Sequence, residues 1–307
     1  MHVLVTGGCG YVGSVLVPKL LDAGHHVRVI DNMLFRNHLQ RHPHLSVVKF
    51  DIRDEVTIGG ADAIIHLAAI ANDPTGELDP KLTWEVNALA TMRLADRAAR
   101  FGVKQFIYAS SGSVYGVSHE PMVTENLPLV PLSEYNKTKM VAERVLMSYM
   151  NGMAVQIVRP ATVCGFSPRM RLDVMVNSLT MQALNTGRIK FNGGDQYRPN
   201  IHIDDMTDLY LWLLERPHVT GIYNAGFENL TIKQIAQLVC DKVKCEVEIG
   251  ETVDPRSYRI NSNKLESRGF APRKTVNDAI DELITQFKAG QLKDETLWHN
   301  IKTMKAA

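Results

Sequence analysis

The chain has 307 residues, 45% of them apolar and 22% charged, with a formal net charge of +1. This fits a globular protein with a large core, as one α/β unit or two joined lobes. It excludes a disordered chain and offers no field for nucleic acid or an anionic membrane, although a local basic pocket for a phosphate stays open.

The four cysteines, Cys9, Cys164, Cys240 and Cys245, form no close pair suited to zinc or redox chemistry. No apolar run reaches the eighteen or so residues of a membrane span, and the first strand pattern begins too near Met1 for a signal peptide. A soluble, cytoplasmic protein is expected, with no membrane or nucleic-acid partner and no metal.

Residues 2–6 (HVLVT) are a short apolar run, the pattern of a strand buried on both faces. The glycine-rich run GGCGYVG follows at 7–13, then an amphipathic helix with Val12, Val15, Leu16 and Leu20 on one side, closed by Gly24. Gly8, Gly10 and Gly13 satisfy the dinucleotide fingerprint. That fingerprint gives a tight turn, a backbone free of side chains where a pyrophosphate approaches, and a helix N-terminus facing the anion. Residues 26–31 read as the next strand, ending in Asp31, whose carboxylate suits an adenosine ribose and repels a 2′-phosphate. NAD is therefore favoured over NADP, with Arg28, Arg36 and Arg41 leaving the preference open. His38, His42 and His44 read as a solvated loop, because Pro43 breaks any helical ligand spacing.

Strands are expected at 46–50 and 61–67, then a helix from Asp79 to Arg100 with Trp84, Leu89, Met92, Leu94 and Ala98 available for burial. A fifth strand, 103–109, delivers Ser110 and Ser111 at its carboxyl end, where open parallel sheets place their ligands. Five β-α units in succession predict an α/β fold with a Rossmann-type doubly wound parallel sheet. On the helix that follows, Tyr135 and Lys139 stand at i and i+4 and share a face. A phenol titrates near 10, so stabilising its anion at neutral pH requires about 4 kcal/mol, part of which a neighbouring cation supplies. Ser111 can then hold the hydroxyl or carbonyl that Tyr135 protonates and deprotonates.

After a sixth strand at 154–158 the alternation loosens, with Pro168, Pro199, Pro217 and Pro255 marking irregular connections. Asp204 or Asp205 is expected to cap a helix running to Glu215, with His202 and Asp205 structural. Helices at 231–242 and 275–288 cover this half, and the tail from Gly290 packs on the body or on a second subunit through Leu292, Leu297, Trp298 and Ile301. No internal repeat is visible.

The glycine run, now read as Gly7, Gly10 and Gly13, together with Ser111, Tyr135 and Lys139, resembles the short-chain dehydrogenase/reductase superfamily. The resemblance is to its extended branch of NAD-dependent sugar-nucleotide epimerases and dehydratases, the UDP-glucose 4-epimerases among them, and covers nearly the whole chain. It implies Ser111, Tyr135 and Lys139 as catalytic triad and NAD as cofactor. The implied cofactor contacts are Gly7, Gly10, Tyr11, Val12 and Gly13, then Asp31 and Asn32, and Asp51 and Ile52 at the adenine. Leu67, Ala68 and Ala69 lie beneath the dinucleotide, Asn87 braces the nicotinamide end, and Tyr135, Lys139, Pro160 and Val163 complete the set. A nucleotide-diphosphate sugar is implied as substrate, near Ser111, Ser113 and Thr162, with Asn177, Arg198 and Arg256 toward its phosphates. Residues 1–165 would be the NAD-binding part and 166–307 mainly a substrate lobe that does not fold alone. A homodimer is implied through the Trp84 and Tyr135 helices, with Met140, Val141, Val145 and Tyr149 available.

The family's dehydratases carry acidic residues directly after the catalytic serine or threonine; here those positions are Gly112 and Ser113, neither of which is an acid or base at neutral pH. An epimerase needs only the triad, a held NAD and room for a 4-keto sugar to turn over. A 4-dehydrogenase or ketoreductase with exchangeable cofactor needs the same residues, and a non-catalytic NAD-binding regulator is the remaining alternative. Thr162 and Cys164 replace an asparagine and an aromatic residue common in the epimerases, and Cys164 is a minor candidate acid/base.

Overall fold

The computed structural model describes residues 1–117, 120–251 and 257–306. Arg256 lies outside the described residues.

The nucleotide-binding half runs β1 His2–Thr6, α1 Gly13–Asp22, β2 His26–Asp31, β3 Leu45–Lys49 and β4 Ala63–His66. Short helices α2 Asp73–Gly76 and α3 Pro80–Trp84 lead to α4 Ala90–Arg100, then β5 Gln105–Ala109, α5 Glu134–Met147 and β6 Ala154–Pro160. The remainder comprises β7 Thr162–Cys164, α6 Met175–Thr186, β8 Arg188–Asn192, β9 Tyr197–His202 and α7 Ile203–Leu214. It continues with β10 Gly221–Ala225, β11 Glu228–Thr231, α8 Ile232–Lys242, β12 Glu246–Gly250, α9 Asn263–Glu266, α10 Val276–Lys288 and α11 Asn300–Ala306.

Seven strands form one parallel sheet in the order β10-β6-β5-β4-β1-β2-β3. Its topology reverses next to β1, and a crevice opens there at the carboxyl ends of the strands. Alternation along the strands decides which helices cover which face. Val3, Val5, Val29, Ile65 and Ile107 point to one side, against Leu16 and Leu20 of α1 and Met206, Leu209 and Leu213 of α7. Leu4, Ile30, Ile64 and Phe106 point to the other, against Leu94, Ala95 and Ala98 of α4 and Ala142 and Leu146 of α5. Because β10 pairs with β6 and Lys19 of α1 bridges Asp204 and Asp208 of α7 at 3.0 and 2.7 Å, late parts of the chain are built into the nucleotide-binding half. A separate cluster, including Val176, Leu179, Ile232, Ile235 and Ile280, joins α6, α8 and α10.

Two expectations are corrected. The helix read as one run from 79 to 100 is broken by a π-helical turn, Glu85–Leu89, which carries a fully buried Asn87. His202, not Asp204 or Asp205, caps α7, its Nδ1 accepting from the Asp204 N–H at 3.0 Å. Asp205 instead accepts the N–H groups of Arg273 and Lys274 at 2.8 and 3.0 Å, fastening the entry to α10.

Candidate active site

The carboxyl ends of β1, β2, β4, β5 and β6 open into one cavity of about 800 Å³. Its floor is the glycine-rich turn, with Gly7 at φ +73° and a virtual Cβ only 2.5 Å from the Ala68 nitrogen. No side chain fits there, and the loops after β1 and β4 meet backbone to backbone. Gly13 is packed as closely, 2.5 Å from the Gly8 carbonyl, so α1 starts directly on the turn. Asp31 ends β2 with Oδ2 accepting from the Cys9 N–H at 3.0 Å and Oδ1 from the Met33 N–H at 2.7 Å. Burial raises its pKa, and those two amides work against the rise. The cradle, the helix N-terminus and this carboxylate together fit a dinucleotide.

The side walls hold Asn32, Asp51 and Ile52 at one end, and Leu67, Ala68 and Ala69 beneath. Tyr11, Val12, Pro160, Thr162 and Val163 line the cavity, as do Ser111, Ser113, Tyr135, Lys139 and Arg198. Asn87 and Asn177 do not. Asn87 is spent on support: its side chain accepts from the Ile70 N–H at 2.8 Å and donates to the Ile70 carbonyl and to Thr138 Oγ1 at 3.0 and 3.2 Å. Asn177, expected at a phosphate, is buried and accepts from the Gly165 N–H at 3.0 Å while donating to Tyr11 Oη and the Arg171 carbonyl at 3.0 and 2.9 Å. Its amide therefore locks Tyr11 of the glycine turn to the second half of the chain. Arg198 donates to the Tyr197 carbonyl at 3.1 Å.

Ser111, Tyr135 and Lys139 are brought together from two elements. Ser111 leaves β5 and caps a 3₁₀ turn, Gly112–Tyr115, its Oγ accepting from the Ser113 N–H at 3.2 Å and lying 2.7 Å from Ser113 Oγ. Helix α5 begins beside it, capped by Ser133, which accepts from the Asn136 N–H at 3.1 Å and donates to Asp73 at 2.6 Å. Tyr135 in the first turn meets Ser111, and one turn on Lys139 donates to the Ala109 carbonyl at 2.7 Å. Lys139 Nζ is 5.9 Å from the centre of the Tyr135 ring and 4.8 Å from that of Tyr108.

The electrostatics differ from the expected picture of a lysine charge pulling the phenol down. Burial raises the Tyr135 phenol, opposed by its hydrogen bond with Ser111 and by the charge of Arg171. Burial also lowers Lys139 to about 7, with Glu143 opposing. At neutral pH the Tyr135 phenol therefore keeps its proton while Lys139 sits near the midpoint of its titration, and a charge arriving in the cavity would shift both. Under the site, His66 is pushed down to about 3 by burial and lies 2.5 Å from Thr6 Oγ1 and 2.8 Å from Thr91 Oγ1.

Behind α5, Glu143 and Arg159 form a buried ion pair at 2.6 Å; Ser110 donates to Glu143 at 2.5 Å, and Arg159 donates to Tyr115 Oη at 2.7 Å. Cys164 is fully buried, its thiol pushed up by burial and its Sγ 3.6 Å from the Ile201 carbonyl. It lies outside the cavity lining, which removes it as an acid or base there.

The sequence reading missed several lining residues: Asn72, Arg169, Arg171 and Asp173, Tyr258, and Asn300, Ile301 and Met304 of the tail. The Arg-x-Arg-x-Asp pattern at 169–173 was the available signal. Nothing in the sequence marked the tail as lining a site. His202, Asp204 and Glu282 form the metal-like cluster noted among the described residues, their donor atoms lying within 4.8 Å of one another. His202 Nδ1 accepts a backbone N–H, which puts the proton of a neutral ring on Nε2, and Lys19 and Lys274 lie against the two carboxylates.

The chain matches the family described as "NAD dependent epimerase/dehydratase family" over residues 3–226. The UDP-glucose 4-epimerase of Corynebacterium glutamicum is 27% identical over 302 residues, covering 90% of this chain and 92% of that protein. UDP-glucuronic acid decarboxylase 1 of Arabidopsis thaliana is 26% identical over 314 residues, covering 96% of this chain and 72% of that protein. Among solved structures, the UDP-glucuronic acid 4-epimerase from Bacillus cereus in complex with UDP-glucuronic acid and NAD is similar, with a TM-score of 0.84 and 25% identity over 94% of this chain and 99% of that one. The glycine cradle, Asp31 and the Ser111, Tyr135 and Lys139 group thus agree with the family match: this chain belongs to the NAD-dependent epimerase/dehydratase family, within the extended short-chain dehydrogenases/reductases, and is an enzyme with NAD as its cofactor.

Proposed function

We propose that this enzyme epimerises a nucleotide-diphosphate sugar at C4 through a transient 4-keto sugar. The observation that carries the reading is the placement of Ser111, Tyr135 and Lys139 in the same cavity as the glycine cradle, with no acid following the serine. When bound, NAD supplies a two-electron acceptor that takes a hydride from a sugar carbon and can return it. Tyr135 takes the proton of the sugar hydroxyl, Ser111 holds that oxygen, and Lys139, fixed by the Ala109 carbonyl, supports the phenolate. Return of the proton from Tyr135 accompanies reduction on the other face. The glycine cradle and the Ser111–Tyr135 group line one cavity of about 800 Å³, which supports a dinucleotide and a sugar meeting in the same space.

Arg171 and Arg198 line the cavity and suit the substrate's phosphates. Residues 1–165 would then serve mainly the dinucleotide, and 166–307 mainly the substrate. A homodimer through the α4 and α5 side is part of this proposal, supported by Leu89 and Met92, which are 44% and 42% exposed.

The test is to denature the purified protein, identify released dinucleotide, and assay intact protein against UDP-, GDP- and dTDP-sugars without added cofactor. Retained NAD with interconversion of C4 epimers is expected. Turnover that requires added NAD, with stoichiometric absorbance change at 340 nm, would instead identify a 4-dehydrogenase or ketoreductase.

A further inference from the structure

The tail and the segment 169–173 meet over the dinucleotide end of the cavity. Asn300, at the start of α11, accepts from the Arg169 guanidinium through Oδ1 at 2.6 Å, and its N–H donates to Asp173 Oδ2 at 3.1 Å. The same carboxylate oxygen accepts from Asn72 Nδ2 at 3.3 Å, on the loop after β4. The Trp298 carbonyl accepts the Leu172 N–H at 2.8 Å. Three segments distant in sequence are thereby stitched together beside the glycine turn.

Arg169 is 2% exposed, lines the cavity with Gly10, Tyr11 and Val12, and lies 3.8 Å from the centre of the Phe35 ring. Its Nε has no partner, and among the described residues no carboxylate forms an ion pair with it; Asp173 and Asp31 act only at a distance. A buried guanidinium without a counter-ion is costly. The anion that the N-terminus of α1 faces would be that counter-ion, and a guanidinium fork suits phosphate oxygens.

We propose that Arg169 binds the pyrophosphate of the dinucleotide and is held there by Asn300, so that the C-terminal tail clasps the cofactor and slows its release. The proposal rests on the NAD reading of the cavity. It assigns the tail a role in the outcome of the reaction, since a cofactor that stays bound leaves the sugar as the only species exchanged.

The experiment uses full-length protein stripped of dinucleotide, titrated with ADP and with adenosine, for wild type, Arg169→Gln and Arg169→Lys, with thermal melting as the folding check. Arg169→Gln is expected to weaken ADP about tenfold while leaving adenosine nearly unchanged, with Arg169→Lys between the two. In loaded protein, Asn300→Ala is expected to speed exchange of bound NAD against labelled NAD about fivefold. Equal losses for ADP and adenosine, or unchanged ADP binding in Arg169→Gln alongside a wild type that binds it, overturn the proposal alone. A wild type that binds neither ADP nor NAD overturns the NAD reading of the cavity and the proposal with it.

Discussion

Lys139 Nζ donates to the Ala109 carbonyl at 2.7 Å, so the helix that carries the phenol is tied to the last residue of the strand that delivers Ser111. Together with the Ser110–Glu143 hydrogen bond and the packing of Ala142 and Leu146, this bond holds two elements that share no local sequence. It also occupies a lysine whose pKa burial lowers to about 7.

Tyr135→Phe removes the group proposed to take the hydroxyl proton and is expected to lower kcat by roughly 10²–10⁴-fold. Bound dinucleotide should remain, because the glycine turn and Asp31 are untouched. Ser111→Ala is expected to lose less, because Tyr135 keeps its place in α5. Steady-state kinetics alongside dinucleotide content checks both, and a Tyr135→Phe enzyme with full activity would transfer the proton step to another group.

Lys139 is lowered to about 7 in the folded protein from an ordinary value of 10.5. Between those values the unfolded chain holds a proton that the folded chain has lost, so this group makes stability rise with pH across that window. Its destabilising effect is complete below about 7 and fades as pH approaches 10.5. In dinucleotide-free protein, Lys139→Met is therefore expected to melt several degrees higher than wild type at pH 7, with the gap closing toward pH 10. Paired melting curves over that range decide it, and a gap that does not change with pH rules out the discharge of Lys139.

Glu143 and Arg159 are 1% and 2% exposed and bonded at 2.6 Å. Removing one partner of a buried pair leaves the other charged without compensation, so Glu143→Gln is expected to cost about 3 kcal/mol or more. Denaturant unfolding measures this. The double change Glu143→Gln with Arg159→Met should recover part of the loss if the stranded guanidinium is its cause.

Leu89 and Met92 stand 44% and 42% exposed on the helical side that also presents Met147 at 38%. If this side joins two copies, Leu89→Arg together with Met92→Glu is expected to halve the mass in solution without releasing the dinucleotide. Sedimentation equilibrium reads the change. A wild-type monomer would show that these side chains face solvent.

The alternating strands, the glycine turn, Asp31 and the Ser111, Tyr135 and Lys139 pattern were all legible in the sequence. Each is set by local periodicity or by a backbone requirement that only certain residues meet: Gly7 at φ +73°, for instance, leaves no space for a side chain. Burial and partners could not be read this way. Asn177 was implied at a phosphate until folding spent its amide on Tyr11, Gly165 and Arg171, and Cys164 stood as a minor acid/base candidate until packing enclosed it. Tail residues enter the site through contacts such as those of Asn300 with Arg169 and Asp173, across more than a hundred positions of chain. The protonation of Lys139 likewise depends on how much water the finished fold excludes around it. Sequence alone determined which chemical groups are available and which elements carry them; tertiary structure decided which of them meet and in what charge state, because both depend on contacts between residues far apart in the chain.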